Sequence, residues 1–371
     1  MKIEQKDPVM KMMDDLIAPY GRPDNYSELL SALREKVTPE EAEVWYCYPD
    51  FSYNTDPVTR EEAEKNFPFQ RRREMQACSD SLINKGMLLK TKGPRGKEGY
   101  QRTYLFYIIY GYMFDPDGSR LQKELFRWWD YVREGGSAQL VKQIPPYRVL
   151  PQEAAVTGDS RHSKIPMNLE IPDQRRVLPM DKASRLVRQC DPIAVTKCIC
   201  RMERDIQGDR PCDFPLEVCI IFNEAARDAV DMGVARYITA DEALDIMGKC
   251  NDMGLVQTFS NVEHPLACCN CCSCCCICLR SIERGEKNVL RVSRYLAEAA
   301  KPGECIDCGR CTKVCPMGAV KLDENGPHID GSRCIGCGIC AGHCPKGVLK
   351  LDVRPHAQSK PDIMKEQRIY M

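Results

Sequence analysis

Histidine is scarce in this chain, at 5 of 371 residues, which weighs against a histidine-rich zinc or non-haem iron site. Net charge is lacking too. The 53 basic side chains are matched by 53 acidic ones, so no global field draws the protein toward nucleic acid or a membrane, and any charge preference has to be local. The longest nearly apolar run, Tyr104 to Phe114, contains several tyrosines and is too short to span a bilayer, so no membrane insertion is expected. Met1 to Asp15 mixes Lys, Glu and Asp without an apolar stretch, so no export signal is read and the cytoplasm is the expected compartment. There is no Gly-x-Gly-x-x-Gly after a strand, no Walker loop, no His-Glu-x-x-His and no nucleophile elbow, which removes the familiar nucleotide and hydrolase sites. The first half also has little cysteine, only Cys47 and Cys78.

The second half has it in excess. Of 24 cysteines, 22 lie at or after Cys190. A large chain without a secretory signal and with adjacent Cys-Cys pairs is a poor disulfide scaffold, so thiolate–metal binding is the reading that remains. Two stretches, Cys305 to Asp323 and Cys334 to Asp352, repeat at a period of 29 residues, and each reads Cys-Ile-x-Cys-Gly-x-Cys-x-x-x-Cys-Pro before a Leu-Asp ending. Small residues at Gly309, Gly336 and Gly338 allow a tight loop in which three thiolates converge on one centre, while the fourth must come from elsewhere.

This spacing, with Pro316 and Pro345 after the last cysteine of each motif, resembles the bacterial two-cluster ferredoxins. The resemblance implies two 4Fe-4S clusters, with the fourth cysteine of each motif serving the other cluster. Cys305, Cys308, Cys311 and Cys344 would hold one, and Cys334, Cys337, Cys340 and Cys315 the other. Both would have all four thiolates and no open iron, so electron transfer is implied and catalysis is not. Zinc suits this spacing less well, because zinc sites usually pair separated Cys-x-x-Cys elements.

Upstream lie Cys198-Ile199-Cys200-Arg201, then Cys212 and Cys219, and then eight cysteines between Cys268 and Cys278. Inert core packing suits isolated Cys190 and Cys250 but cannot explain the run, which would be prone to oxidation if left without metal. At least one further iron–sulfur cluster is expected, with zinc the lesser alternative. Its candidate ligands are Cys198, Cys200, Cys212 and Cys219 together with, or beside, members of the run such as Cys269, Cys271, Cys272, Cys274 and Cys275. Arg201 would place positive charge beside an anionic cluster, or would be an ordinary solvated arginine. From Cys190 onward the chain resembles a group of anaerobe proteins described as 4Fe-4S dicluster proteins.

The first half shows capping patterns at Thr38-Pro39-Glu40-Glu41 and Thr59-Arg60-Glu61-Glu62, and a third follows at Thr239-Ala240-Asp241-Glu242. Helices to about Phe67 and from Gln70 to Asn84, then a hairpin turning at Gly93–Gly96 and returning from Tyr100 to about Tyr107, resemble the order of a winged-helix domain. Nine Lys and Arg between Phe69 and Tyr104, against three acids, would suit DNA. They would equally suit a solvated face of a protein adaptor. Trp128 and Trp129 read as helix core.

The expected fold class is α+β and multidomain. It comprises an arm over 1–24, a winged-helix-like domain over 25–142 and a proline-rich linker over 143–189. A cysteine-rich mixed domain over 190–302, with helices near 222–232, 239–253 and 288–300, precedes a ferredoxin-like two-cluster domain over 303–352 and a polar tail over 353–371. The expected function is a relay of single electrons to or from a flavoprotein or a metal-centred oxidoreductase. An iron–sulfur DNA-binding regulator, and a reductase subunit with a catalytic middle cluster, are the alternatives.

Overall fold

The computed structural model describes residues 7–18, 21–52, 55–65, 67–68, 71–135, 147–157, 182–286 and 289–354. They belong to two compact units, one over 1–140 and one over 141–367.

Capping chemistry sets helix starts in the first unit. The Glu41 N–H donates to Thr38 Oγ1 at 3.2 Å while the Thr38 N–H donates to the Glu41 carboxylate at 2.8 Å, and Thr59 with Glu62 repeats the exchange. Each pair satisfies donors that a helix terminus leaves orphaned. The described elements are α1 (Pro8–Ile17), α2 (Tyr26–Lys36), α3 (Pro39–Trp45), α4 (Arg60–Lys65), α5 (Arg72–Asn84), the hairpin β1 (Leu88–Lys92) and β2 (Glu98–Arg102), α6 (Leu105–Phe114) and α7 (Arg120–Arg133). Two expectations need correction. Residues 8–17 of the expected arm form α1, which buries Val9, Met12, Met13, Leu16 and Ile17 against α2 and α3. The return strand stops at Arg102 because the continuous apolar run after it cannot alternate as a half-buried strand, and it winds into α6. Trp128 and Trp129 are buried in α7.

The second unit is built on a seven-stranded sheet. In chain order its elements begin with β3 (Tyr147–Val149), α8 (Glu153–Thr157), α9 (Ala183–Arg188), β4 (Ile193–Lys197), α10 (Ile199–Gln207), β5 (Glu217–Phe222), α11 (Asn223–Asp231), β6 (Ala235–Ile238), α12 (Ala240–Asp252), β7 (Val256–Ser260), β8 (Ala267–Cys271) and α13 (Ile277–Glu283). They end with β9 (Leu290–Arg291), β10 (Tyr295–Ala299), α14 (Arg310–Val314), β11 (Val320–Asp323), β12 (Gly326–Ile329), α15 (Ile339–Gly342) and β13 (Leu349–Val353). Strand order in the large sheet is β6-β4-β5-β8-β7-β3-β9. All its pairings are antiparallel except β3 with β9.

One face of this sheet is apolar. Ile193, Ile220, Phe222, Phe259 and Cys268 pack with Ala183, Leu186 and Val187 of α9 and Ala243, Leu244 and Met247 of α12. Because side chains alternate along a strand, Cys219 of β5 and Cys269 and Cys271 of β8 point to the opposite face. The sheet therefore sorts the thiols into a core set and a second set across the sheet from it.

Three expectations about this unit are corrected. The stretch read as a linker over 143–189 supplies β3, next to the β9 edge of the sheet, and α8 to the C-terminal repeats, where Ala155 and Val156 pack with Tyr295, Ala297, Cys340 and Leu351. Its residues 143–146 and 158–181 lie outside the described set. The helix expected near 288–300 is replaced by β9 and β10, since pairing of Tyr295–Ala299 with Leu349–Val353 overrides the helix propensity of its Ala and Glu. That pairing also joins residues ahead of 303 to the C-terminal repeats. The tail from 355 onward lies outside the described residues. No helix among those described is long and apolar enough to cross a membrane.

Candidate metal centres

The two 29-residue repeats fold into two loop-and-helix turns that share a pair of cavities. One cavity is lined by Cys305, Cys308 and Cys311 together with Cys344, and the other by Cys334, Cys337 and Cys340 together with Cys315. Each therefore takes three thiols from its own loop and the fourth from the other repeat. The backbone makes this possible through left-handed residues. Gly309 (φ 66°) and Gly338 (φ 82°) cap α14 and α15. Gly336 (φ 68°) has an equivalent in Asp307 (φ 52°), one of the few residue types that enters this region at modest cost. A Cβ on Gly336 would collide with the Tyr295 carbonyl and the Ser293 hydroxyl.

The repeats also share their amide donors. The Ala319 N–H points at Cys315 Sγ at 3.2 Å, and the Val348 N–H at Cys344 Sγ at 3.3 Å. Such bonds favour the charged thiolate. Against them, burial pushes the Cys337 thiol up to about 12 and Cys340 well above its ordinary range. A buried thiol group of this kind ionises readily only against metal. Among the described residues no three of these eight thiols lie within 4.8 Å of one another, which is too open for a single ion and suits a cluster that puts its own atoms between them. The donor set fits a 4Fe-4S cluster in each cavity.

The middle thiols separate into two groups. In the first, Cys198 interacts with Cys200 and Cys219, Cys219 with Cys269, Cys269 with Cys271, Cys271 with Cys276, and Cys276 with Cys200, which closes a ring of six. Cys278 joins it through Cys276. Two Cys-Ile-Cys steps build much of the ring. Cys198 is the N-cap of α10 with Cys200 in its first turn, and Cys276 is the N-cap of α13 with Cys278 in its first turn. Strands β5 and β8 supply the remainder. Hydrogen bonding among the thiols makes their acidity alternate round the ring. Cys200 and Cys219 donate to Cys198 and lower it well below the ordinary range, and Cys219 and Cys271 lower Cys269 to about 5. Cys200, Cys219 and Cys271 are correspondingly raised.

The second group is Cys212, Cys272, Cys274 and Cys275, whose sulfurs all lie within 4.8 Å of one another. Cys212 comes from the irregular stretch between α10 and β5, and the other three from the turn between β8 and α13. Arg201, with no exposed surface, lies beside both groups. Its guanidinium donates to the Pro215 carbonyl and the Asn270 carbonyl, each at 2.7 Å, interacts with Cys272, and is held charged by the nearby Cys198, Cys272 and Cys219 sulfurs. The solvated-arginine reading is set aside by this burial. Hydrogen bonds from Cys274 and Cys275, followed by the Arg201 charge, draw Cys272 down to about 2.

The candidate ligands thus split. Cys198, Cys200, Cys219, Cys269 and Cys271 share one group, while Cys212, Cys272, Cys274 and Cys275 form another. Cys276 and Cys278, absent from the sequence-derived candidates, belong with the first, and their signal was the repeat of the Cys-Ile-Cys step. Tyr147 was also missed, because it sits in the supposed linker. Burial beside Cys269 and Cys278 pushes its phenol well above the ordinary range. Cys190 and Cys268 are packed in the apolar face of the sheet, and burial pushes Cys250 up to about 12, as expected of core thiols.

Residues 304–348 match the family described as the 4Fe-4S dicluster domain. No curated protein and no solved structure matches the chain. What carries over from known proteins is therefore confined to residues 304–348, which are similar to a 4Fe-4S dicluster domain.

Proposed function

We propose that the protein relays single electrons between partner proteins, through the two ferredoxin-type sites and a third, polynuclear centre at the ring of Cys198, Cys200, Cys219, Cys269, Cys271 and Cys276. The observation that carries this reading is the pair of four-thiol cavities that exchange their fourth ligand. When bound, 4Fe-4S clusters supply one-electron carriers whose potentials are set by hydrogen bonds and burial.

The chain's own residues support an order for the relay. The cavity of Cys305 approaches the surface through Ile306, 54% exposed, and the exposed Cys308, which suits docking of a flavoprotein or a metal-centred oxidoreductase. The cavity of Cys337 lies deeper and is tied to the middle domain, since the Gln152 N–H donates to the Cys337 carbonyl at 2.9 Å. Five residues earlier, Tyr147 stands beside the thiol ring, so a backbone stretch of at most about 18 Å links the neighbourhoods of the two centres.

A catalytic middle centre would need an open approach for substrate, and the ring thiols are buried or half-buried. The DNA-regulator reading loses support in the first unit. At least six of the nine basic residues between Phe69 and Tyr104 are paired with acids: Arg71 with Glu43 and Glu74, Lys85 with Glu41, Lys90 with Glu98, Arg95 with Asp56, Lys97 with Glu62 and Arg102 with Asp50. A winged-helix-like adaptor that docks protein fits this neutralised face better. Coulometric titration of anaerobically purified protein, followed by EPR, tests the relay. Reversible one-electron steps at three or more centres are expected, and a protein that takes up no electrons reversibly would sink the reading.

A further inference from the structure

We infer that Cys212, Cys272, Cys274 and Cys275 hold one tetrahedral divalent metal ion, and that this site is separate from every iron–sulfur cluster in the chain. The distances carry the inference. Cys212 Sγ lies 4.0 Å from Cys272 Sγ and 3.8 Å from Cys275 Sγ, and Cys274 Sγ lies 3.8 Å from Cys275 Sγ. Four thiolates around one ion, with metal–sulfur bonds of about 2.3 Å, form a tetrahedron with edges of about 3.8 Å. A cubane puts each thiolate on the outside of a different iron and so holds them roughly 6 Å apart. The eight ferredoxin thiols of the same chain keep their distance, and among the described residues this tetrad is the one group of three or more candidate ligands gathered within 4.8 Å.

The local chain supports the same assignment. The Cys276 N–H donates to the Cys272 carbonyl at 3.2 Å and closes the turn that presents three of the sulfurs, while Cys212 reaches them from 60 residues upstream. Four thiolates with one divalent ion carry two negative charges, and the buried Arg201 against Cys272 offsets one of them. An all-thiolate tetrahedral set selects a thiophilic ion, zinc or ferrous iron, over the harder cations. With four protein ligands the coordination is closed, and the ion acts through position. Cys271 precedes Cys272 and Cys276 follows Cys275 in the chain, so fixing the tetrad fixes two members of the thiol ring. The inference does not depend on the direction, or even the existence, of electron flow.

The test compares zinc, iron and acid-labile sulfide per chain in anaerobically purified full-length protein and in the Cys212→Ser/Cys274→Ser variant, which alters the two half-exposed sulfurs. Loss of about one zinc or one iron, with sulfide unchanged, is the expected result. Loss of about four irons with about four sulfides would overturn it, and so would no change in any metal. If the variant does not fold, the wild-type protein decides. A zinc-edge absorption spectrum with four sulfurs at about 2.3 Å and no metal neighbour, or a Mössbauer component from a single high-spin iron, supports the ion. The absence of both removes it.

Discussion

The C-terminal repeats and the middle thiol tetrad offer the same ligand atom in the same number, yet they are built for different guests. In the repeats, the thiols line open cavities and each cavity borrows a sulfur from the other repeat. In the tetrad, three sulfurs come from a single tight turn and stand at contact distance from one another and from the fourth. Separation between thiols, more than their number or sequence spacing, tells a cluster site from an ion site. A loop of Cys-x-x-Cys-x-x-Cys with left-handed glycines holds its sulfurs apart, whereas Cys-x-Cys-Cys in a turn cannot.

The largest effect should come from breaking the exchange between repeats. Cys344→Ser and Cys308→Ser are 36 positions apart, yet both should remove about four irons per chain and abolish the same EPR signal. Cys315→Ser should abolish the other one. Iron analysis with EPR of the reduced variants checks this, and if Cys344→Ser abolished the signal lost with Cys334→Ser, the repeats would each be self-contained. The contrast with the middle domain is then direct, because no single-thiol change in the tetrad should alter either ferredoxin signal.

Next in size is Arg201→Gln. The guanidinium is fully buried, donates to two carbonyls and offsets charge at two thiol groups. Removing it leaves those carbonyls and sulfurs uncompensated, at a cost of about 3 kcal/mol. Chemical denaturation of the anaerobic protein should show that loss in the second unit, with the unfolding of the first unit unmoved. A variant as stable as wild type would mean that solvent or the bound metals already balance this charge.

Much of this organisation is legible in the amino-acid sequence, and the exceptions have physical causes. The Cys305 and Cys334 motifs are local, so their spacing is enough to carry the family resemblance that implies the ligand sets, and the Thr38 and Thr59 caps are settled within four residues. The middle domain is different. Whether Cys268 or Cys269 faces the core depends on the register of β8 against β5, and a one-residue slip would exchange them. The parting of Cys212 from Cys219 depends on where β5 begins. The Tyr147–Gln152 stretch read as a linker because its proline-rich flanks hide a three-residue strand whose partners, β7 and β9, lie more than a hundred residues away.

The smallest effect sharpens the comparison inside the repeat itself. Asp307 and Gly336 occupy equivalent left-handed positions, but only the second is crowded, by the Tyr295 carbonyl and the Ser293 hydroxyl. Gly336→Ala should therefore cost about 2 kcal/mol or more, from strain and collision together. Asp307→Gly relieves the left-handed conformation and should leave iron content unchanged. Its consequence is electrostatic. The Asp307 carboxylate stands 3.5 Å from Cys305 Sγ at the exposed end of the domain, where solvent and salt screen it. Removing that negative charge should raise the potential of the Cys305 site by roughly 30 mV and leave the Cys334 site where it was. Redox titration followed by EPR separates the two, and an equal shift at both sites would show that the carboxylate acts on the domain as a whole and not on the nearer centre.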